Sequence, residues 1–195
     1  MSPQLCLNKG KAQFVRNEEH EYLCYAVKTP VITKDDVLED VAKQHVAPLA
    51  QPGDIMFLSE KMVACTQGRA LPLKTIKAGF WANTLCRFVT KTPGGIGLGM
   101  PQTMQCAINE CGLPRILLAA VAGAMGKVFR QKGCFYHVAG RRDAAIDGPC
   151  HWTLPPSNEY VLLAPLHPSS QSQRLHHRFG VHPALILEVY VFGAE

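Results

Sequence analysis

Apolar residues along this chain come in short runs, set apart by polar stretches rich in proline and glycine. The spacing within each run predicts an element. Residues 1–21 are polar and irregular and read as a lead-in, and residues 22–195 as a single domain. YLCYAV (22–27) reads as a strand, and KTPVITKDD (28–36) as a loop. Thr33 has a helix N-cap side chain, and Asp36 three residues on is a weak relative of the capping box. Val37, Leu38 and Val41 then follow helical spacing, and Pro48 ends that helix. QPGD (51–54) is a turn, IMFLS (55–59) a short buried strand, and SEKMVACTQGR (59–69) a short helix stopped near Gly68.

Further on, FWANTLCRFV (80–89) places Phe80, Trp81, Leu85 and Phe88 on one helical face. Pro101 suits the first turn of a helix and Gly112 its end. RILLAAV (115–121) has the pattern of an interior strand, and CFYHVA (134–139) and EYVLLA (159–164) of further strands. SSQSQRLHHRFG (169–180) predicts a helix closed by Gly180, and ALILEVYVF (184–192) a last strand. There is no repeat, low-complexity segment or linker. The alternation predicts a mixed α/β or α+β domain.

Composition narrows the function classes. The chain has 195 residues, 47% of them hydrophobic and 18% charged, which is globular material. A net charge of +5 and a pI near 8.8 permit an anionic substrate. The basic residues are not clustered as in nucleic-acid binders, so no nucleic-acid partner is expected. The eight cysteines form no C-x-x-C pair, which excludes zinc-finger spacing and predicts reduced, mostly buried thiols in a cytoplasmic protein. The N-terminus has no long apolar region, and ILLAAVAGAM (116–125) is too short to span a bilayer, so no membrane partner is expected.

Three segments carry candidate chemistry. In TKTPGGIGLGMPQTMQ (90–105), Gly94, Gly95, Gly97 and Gly99 lead into a helix start. Such a loop can bring backbone N–H groups onto an anion, or can let two backbones cross closely. The dinucleotide fingerprint G-x-G-x-x-G fails at Gln102. In GAMGKVF (123–129), Gly126-Lys127 is a failed P-loop, since Val121 and Val128 stand where that motif needs glycine and Ser/Thr. It reads as a surface turn or as a turn placing Lys127 near an anion. In AGRRDAAIDGP (139–149), Arg141 and Arg142 can clamp a carboxylate or phosphate, and Asp143 and Asp147 can share a cation. The alternative is a solvated turn with an internal ion pair. The histidines are scattered, and no spacing proposes a Ser-His-Asp or Cys-His site.

Four stretches carry a family resemblance: VKTPVITKDDVLEDV, LAQPGDIMFLSEKMVACTQGRALPL, RFVTKTPGGIGLGMPQTMQCAI and PRILLAAVAGAMGKVFRQKGCFYHVAGRRDAAIDGP. The chain resembles the coenzyme F-420 gamma-glutamyl ligase family, in particular a short bacterial ligase-like branch, over roughly residues 22–168. The resemblance implies an α+β, mixed α/β, gamma-glutamyl ligase-like fold in an intertwined homodimer, with the site near the subunit interface. It implies an enzyme that joins L-glutamate to a small-molecule carboxylate on a phosphodiester-containing deazaflavin by an amide bond, spending GTP with Mg²⁺ or Mn²⁺. The carboxylate would be phosphorylated and then attacked by the glutamate amine, a reaction run by positioning and charge neutralisation.

Carried onto this chain, the resemblance implies nucleotide contacts at Thr29, Pro30, Val31, Ile32, Glu60 and Lys61. Lys61 keeps the family's lysine, Glu60 replaces a serine, and a second family lysine falls on Cys65. Gly68 and Arg69 match well. Arg69, Gly97, Gly99, Lys127, Arg141 and Arg142 are the anion or substrate candidates. The family's Asp-Thr metal pair falls on Gly123 and Ala124, and another family aspartate on Gln102 or Thr103. Asp147 matches a family aspartate and is the candidate metal ligand, with Asp143 and Glu159 nearby in sequence. The alternative function is a nucleotide- or anion-binding regulatory protein that keeps the fold without the metal ligands.

Overall fold

The computed structural model describes residues 5–7, 14–16, 21–51, 53–89, 96–131, 133–149 and 157–187. Strands and helices are mixed, as the α+β reading requires. In chain order the elements are β1 (Leu5–Leu7), β2 (Phe14–Arg16), β3 (Glu21–Leu23), β4 (Tyr25–Val27), α1 (Leu38–Val41), β5 (Ile55–Ser59), α2 (Glu60–Thr66) and β6 (Ala70–Pro72). They continue with α3 (Phe80–Leu85), α4 (Pro101–Cys111), α5 (Leu113–Val128), α6 (Cys134–Ala139), α7 (Arg141–Ala144), β7 (Tyr160–Leu162), α8 (Pro168–Phe179) and β8 (His182–Leu187). The chain divides into two compact units, residues 1–62 with 167–195, and residues 63–166.

The first unit holds three strand pairs. β1 and β4 pair antiparallel, as do β2 and β3, where Arg16 faces Glu21 and bonds it at 3.0 Å. β5 and β8 run parallel with a register irregularity between Ile55 and Phe57. The predicted strand at 55–59 is therefore present, and the last strand begins at His182; residues 188–192 of that prediction lie outside the described residues. Thr33 does not cap α1. Its N–H and hydroxyl both donate to Asp36 (2.7 and 2.9 Å), closing a turn ahead of the helix, which starts behind Val37 and runs on as a π-turn to Val46. The helix α8 starts with Pro168 behind His167 and stops at Gly180, whose φ of +67° is the left-handed conformation glycine supplies. Its Leu175 is fully buried, and Arg174 reaches Glu39 in the first turn of α1 at 3.3 Å.

The second unit is mostly helical, with β6 and β7 as one antiparallel pair. Its core gathers Ala82, Cys86, Leu98, Met104, Cys106, Ala107, Ile116, Ala119, Ala139, Ile146, Val161 and Leu163. The helix expected over 101–112 is α4, begun by Pro101 and ended by Gly112 at φ +85°. Two expectations fail. RILLAAV (115–121) lies inside α5, and CFYHVA (134–139) is α6, so neither is a strand. An apolar run of seven residues does not separate a buried strand from a buried helix. Here Pro114 opens the helix and alanines and glycines fill it, which lets α5 and α6 pack closely. The FWANTLCRFV face holds only in part: Leu85 packs against the core and Ala82 and Cys86 point into it, while Phe80, Trp81 and Phe88 are exposed. GAMGKVF is the end of α5 rather than a turn.

Candidate functional site

In the first unit, Thr29, Pro30, Val31 and Ile32 follow β4 and precede the Thr33–Asp36 turn. Pro30 and Val31 are exposed, Thr29 and Ile32 half-buried. Glu60 and Lys61 open α2 where β5 ends; Glu60 is half-buried and Lys61 exposed. One turn on, burial pushes the Cys65 thiol up from its ordinary value, so this position stays neutral where the family's second lysine would be charged.

The second unit holds the glycine segment. Residues 90–95, with Gly94 and Gly95, lie outside the described residues. Residues 96–100 form a turn pinned by the fully buried Leu98, with Gly99 N–H donating to Ile96 O at 2.9 Å. Gly97 has φ +49°, and a Cβ there would sit 3.7 Å from the Tyr136 hydroxyl. Met100 is extended and hands the chain to α4. A Cβ on Gly148 would lie 2.9 Å from Met100 Sδ and 3.0 Å from Thr103 Cγ2, so the Asp147-Gly148 segment lies against the start of α4. Asp147 is held there by two backbone bonds to Leu162, each 2.9 Å. The unit thus brings Gly97, the start of α4 and the segment after α7 together. First-turn N–H groups of a helix have no intrahelical acceptor, so this corner has donors to offer an anion.

The cationic candidates scatter. Arg69 bonds Glu110 Oε2 at 2.7 Å and also donates through Nε to Ala164 O, with both side chains of the pair mostly buried. Its guanidinium is committed within the fold. Lys127, in the last turn of α5, donates to Phe88 O at 3.0 Å. Arg142 is exposed on α7, and the Arg141 side chain lies outside the described residues.

A polar knot at the end of α4 was not legible in the sequence. Asp143 is fully buried; Oδ2 accepts from Cys111 Sγ at 2.6 Å, and Oδ1 has no partner among the described residues. Burial pushes the Asp143 carboxyl above its usual range, and the Cys111 bond and the Arg115 charge pull it partly back. The Cys111 thiol is pushed up to about 11, first by burial and then by the bond to Asp143 and that group's charge. Cys106, one turn earlier, is also pushed up to about 11 by burial and the nearby Glu110. Both thiols are protonated at neutral pH, so neither is an activated nucleophile. Asp143 and Arg69 were visible candidates, but their partners lie 32 and 41 residues away along the chain, beyond any local pattern.

The residues at the family's metal positions do not fit a metal. Gly123 and Ala124 offer no side-chain oxygen, and a Cβ on Gly123 would already stand 3.2 Å from Phe135 Cβ. Asp143 is tied to Cys111 and Glu110 to Arg69. Among the described residues no group of three His, Cys, Asp or Glu side chains is placed to hold an ion.

A family model described as F420-0:Gamma-glutamyl ligase matches residues 26–191. No curated protein and no solved structure matches the chain.

Proposed function

The chain belongs to the F420-0:gamma-glutamyl ligase family, and from that premise we propose that it is a ligase-type protein acting on a small carboxylate, with L-glutamate as the amine donor and GTP as the nucleotide. The match over residues 26–191 carries this reading. The nucleotide would lie along Thr29–Ile32, with Lys61 facing its phosphates and Glu60 at the start of the same helix. The corner at Gly97, Gly99 and the start of α4 would take an anionic group of the substrate, where glycine lets backbone N–H groups approach it closely. Lys127, Arg141 and Arg142 are anion candidates by the resemblance, and Lys127 already donates to Phe88 O. The intertwined homodimer and cytoplasmic setting belong to the same proposal. No step is routed through a metal, because the donor set does not fit one.

A second reading rests on a specific observation. The resemblance puts the family's Asp-Thr metal pair on Gly123 and Ala124, neither of which has a side-chain oxygen, and Gly123 packs against Phe135. That favours a protein that binds the nucleotide or an anion without catalysing ligation.

One experiment separates them. The melting temperature is measured with GTP, ATP or neither, with and without Mn²⁺, and labelled glutamate is then offered with candidate carboxylates. GTP at about 100 times its Kd stabilises by about 2.7 kcal/mol, on the order of 5–10 °C here. A shift with glutamate incorporation supports the ligase; a shift without incorporation supports the binder; no shift with either nucleotide refutes both. Lys61→Ala should weaken GTP binding by about 1–3 kcal/mol, and unchanged affinity removes Lys61 from the site.

A further inference from the structure

The helix α5 is apolar on two sides. Ile116, Ala119 and Gly126 face inward and are buried. On the other side Leu118, Val121, Met125 and Val128 recur at spacings of three, four and three residues. With Phe129 they form a stripe in which each side chain is 56–78% exposed. Lys127, beside Val128 in this stripe, donates to Phe88 O at 3.0 Å, and Phe88 is itself exposed. An amphipathic surface helix normally turns charge to the solvent on such a face, and a contiguous exposed patch of this kind marks an interaction surface.

The charged residues in and next to α5 are cations, and the unit that holds it is basic. Between Glu60 and Asp143 the sequence contains a single acidic residue, Glu110, and Arg69 holds it in a mostly buried ion pair. Residues 63–166 carry eleven Lys and Arg against four Asp and Glu, while the rest of the chain carries nine against eleven. Arg115 stands exposed at one end of α5, and Arg87, Lys127 and Arg130 are exposed around the other. A symmetric pairing of two copies through this face would set these cations against one another, whether the helices ran parallel or antiparallel. The stripe itself is mainly aliphatic, which suits acyl chains better than the stacking of nucleic-acid bases.

We propose that the exposed face of α5 docks on an anionic phospholipid surface. At 16 residues α5 is about 24 Å long, and no single helix among the described residues is long and apolar enough to cross a membrane. The helix would lie in the plane of the interface, with its aliphatic stripe among the acyl chains and its end cations on the headgroups. This does not depend on the nucleotide reading.

The test is co-sedimentation of the full chain with phosphatidylcholine vesicles, with and without about a third phosphatidylserine, at two salt concentrations. Binding at least about tenfold stronger to the anionic vesicles, weakened by salt, is expected. Met125→Glu and Val128→Ser, both at exposed positions and checked for folding by circular dichroism, should each lower vesicle binding severalfold or more. No binding of the wild type to anionic vesicles overturns the proposal, whatever the variants do. Salt-sensitive binding that neither folded variant reduces also overturns it, because the stripe is then not in contact. Light scattering that shows a dimer in solution converted to monomer by Met125→Glu overturns it in favour of a second copy as the occupant. Tighter binding to single-stranded DNA than to the anionic vesicles, unchanged by Met125→Glu, assigns the cations to nucleic acid and overturns it as well.

Discussion

Gly126→Ala tests the close packing that replaces the turn expected from GAMGKVF. A Cβ built on Gly126 would stand 2.6 Å from Cys134 Sγ, 2.9 Å from Cys134 Cβ and 2.9 Å from Gln131 O. Apolar contacts are ordinarily near 3.5–4.0 Å, so something must move by more than half an ångström. The neighbours have little slack. Gln131 N–H donates to Gly126 O at 2.7 Å, which ties the loop to this turn of α5, and Cys134 is fixed as the first residue of α6. Overpacking of this kind costs about 1–3 kcal/mol, while replacing a helical glycine by alanine returns about 0.8–1 kcal/mol. The two ranges leave a net loss of about 0–2 kcal/mol, and three contacts under 3.0 Å, one of them to backbone, put the expected loss in the upper half, about 1–2 kcal/mol, read as a lower urea midpoint at unchanged slope. Gly123→Ala is the control: its new Cβ meets Phe135 Cβ at 3.2 Å, a smaller conflict that the propensity gain should nearly cancel. Cys134→Ala in the Gly126→Ala background removes the sulfur contact but leaves the Cβ, so recovery should be partial. A Gly126→Ala protein as stable as the wild type would refute the reasoning and return this segment to the role of a surface turn.

Glu110→Ala should cost about 3–5 kcal/mol by leaving Arg69 buried without its partner; a loss under about 1 kcal/mol by urea unfolding would mean the pair is effectively solvated. Asp143→Asn addresses pH. The Asp143 carboxyl is raised in the folded state, so the folded chain holds this proton more tightly than the unfolded chain does. Its favourable contribution is complete below the ordinary carboxyl value of 3.8 and is lost as pH rises through the folded value. The stability of Asp143→Asn relative to wild type should therefore improve from pH 4 to pH 7, and a flat difference in urea midpoints across that range would contradict the assignment. Cys106 and Cys111, both pushed up to about 11 from 9.0, should be alkylated at pH 8 roughly 100-fold more slowly than in the unfolded chain, the fall in thiolate fraction for that change. Equal rates by peptide mapping would show that neither thiol is protected.

Much of the fold was legible where a backbone constraint marks an element's end. Pro101 and Gly112 gave α4 both its bounds, Gly180 the end of α8, and Gly68 the end of α2. The sequence was misleading where neighbours far along the chain decide. Cys134, Phe135, Tyr136 and Val138 have the aromatic and β-branched character of a strand, yet they form α6. Glycines at 123 and 126 in α5 leave room for Phe135 and Cys134 to come close. Gly123, followed by Ala124, is also where the resemblance puts the family's Asp-Thr metal pair. A Cβ at Gly123 would stand 3.2 Å from Phe135 Cβ, a contact that asks for a shift of a few tenths of an ångström. Gly123 lies in the same helix whose opposite face carries the exposed apolar stripe. In this chain α5 serves packing on one side and offers a surface on the other, and no carboxylate between Glu110 and Asp143 is left to make it a metal-binding helix.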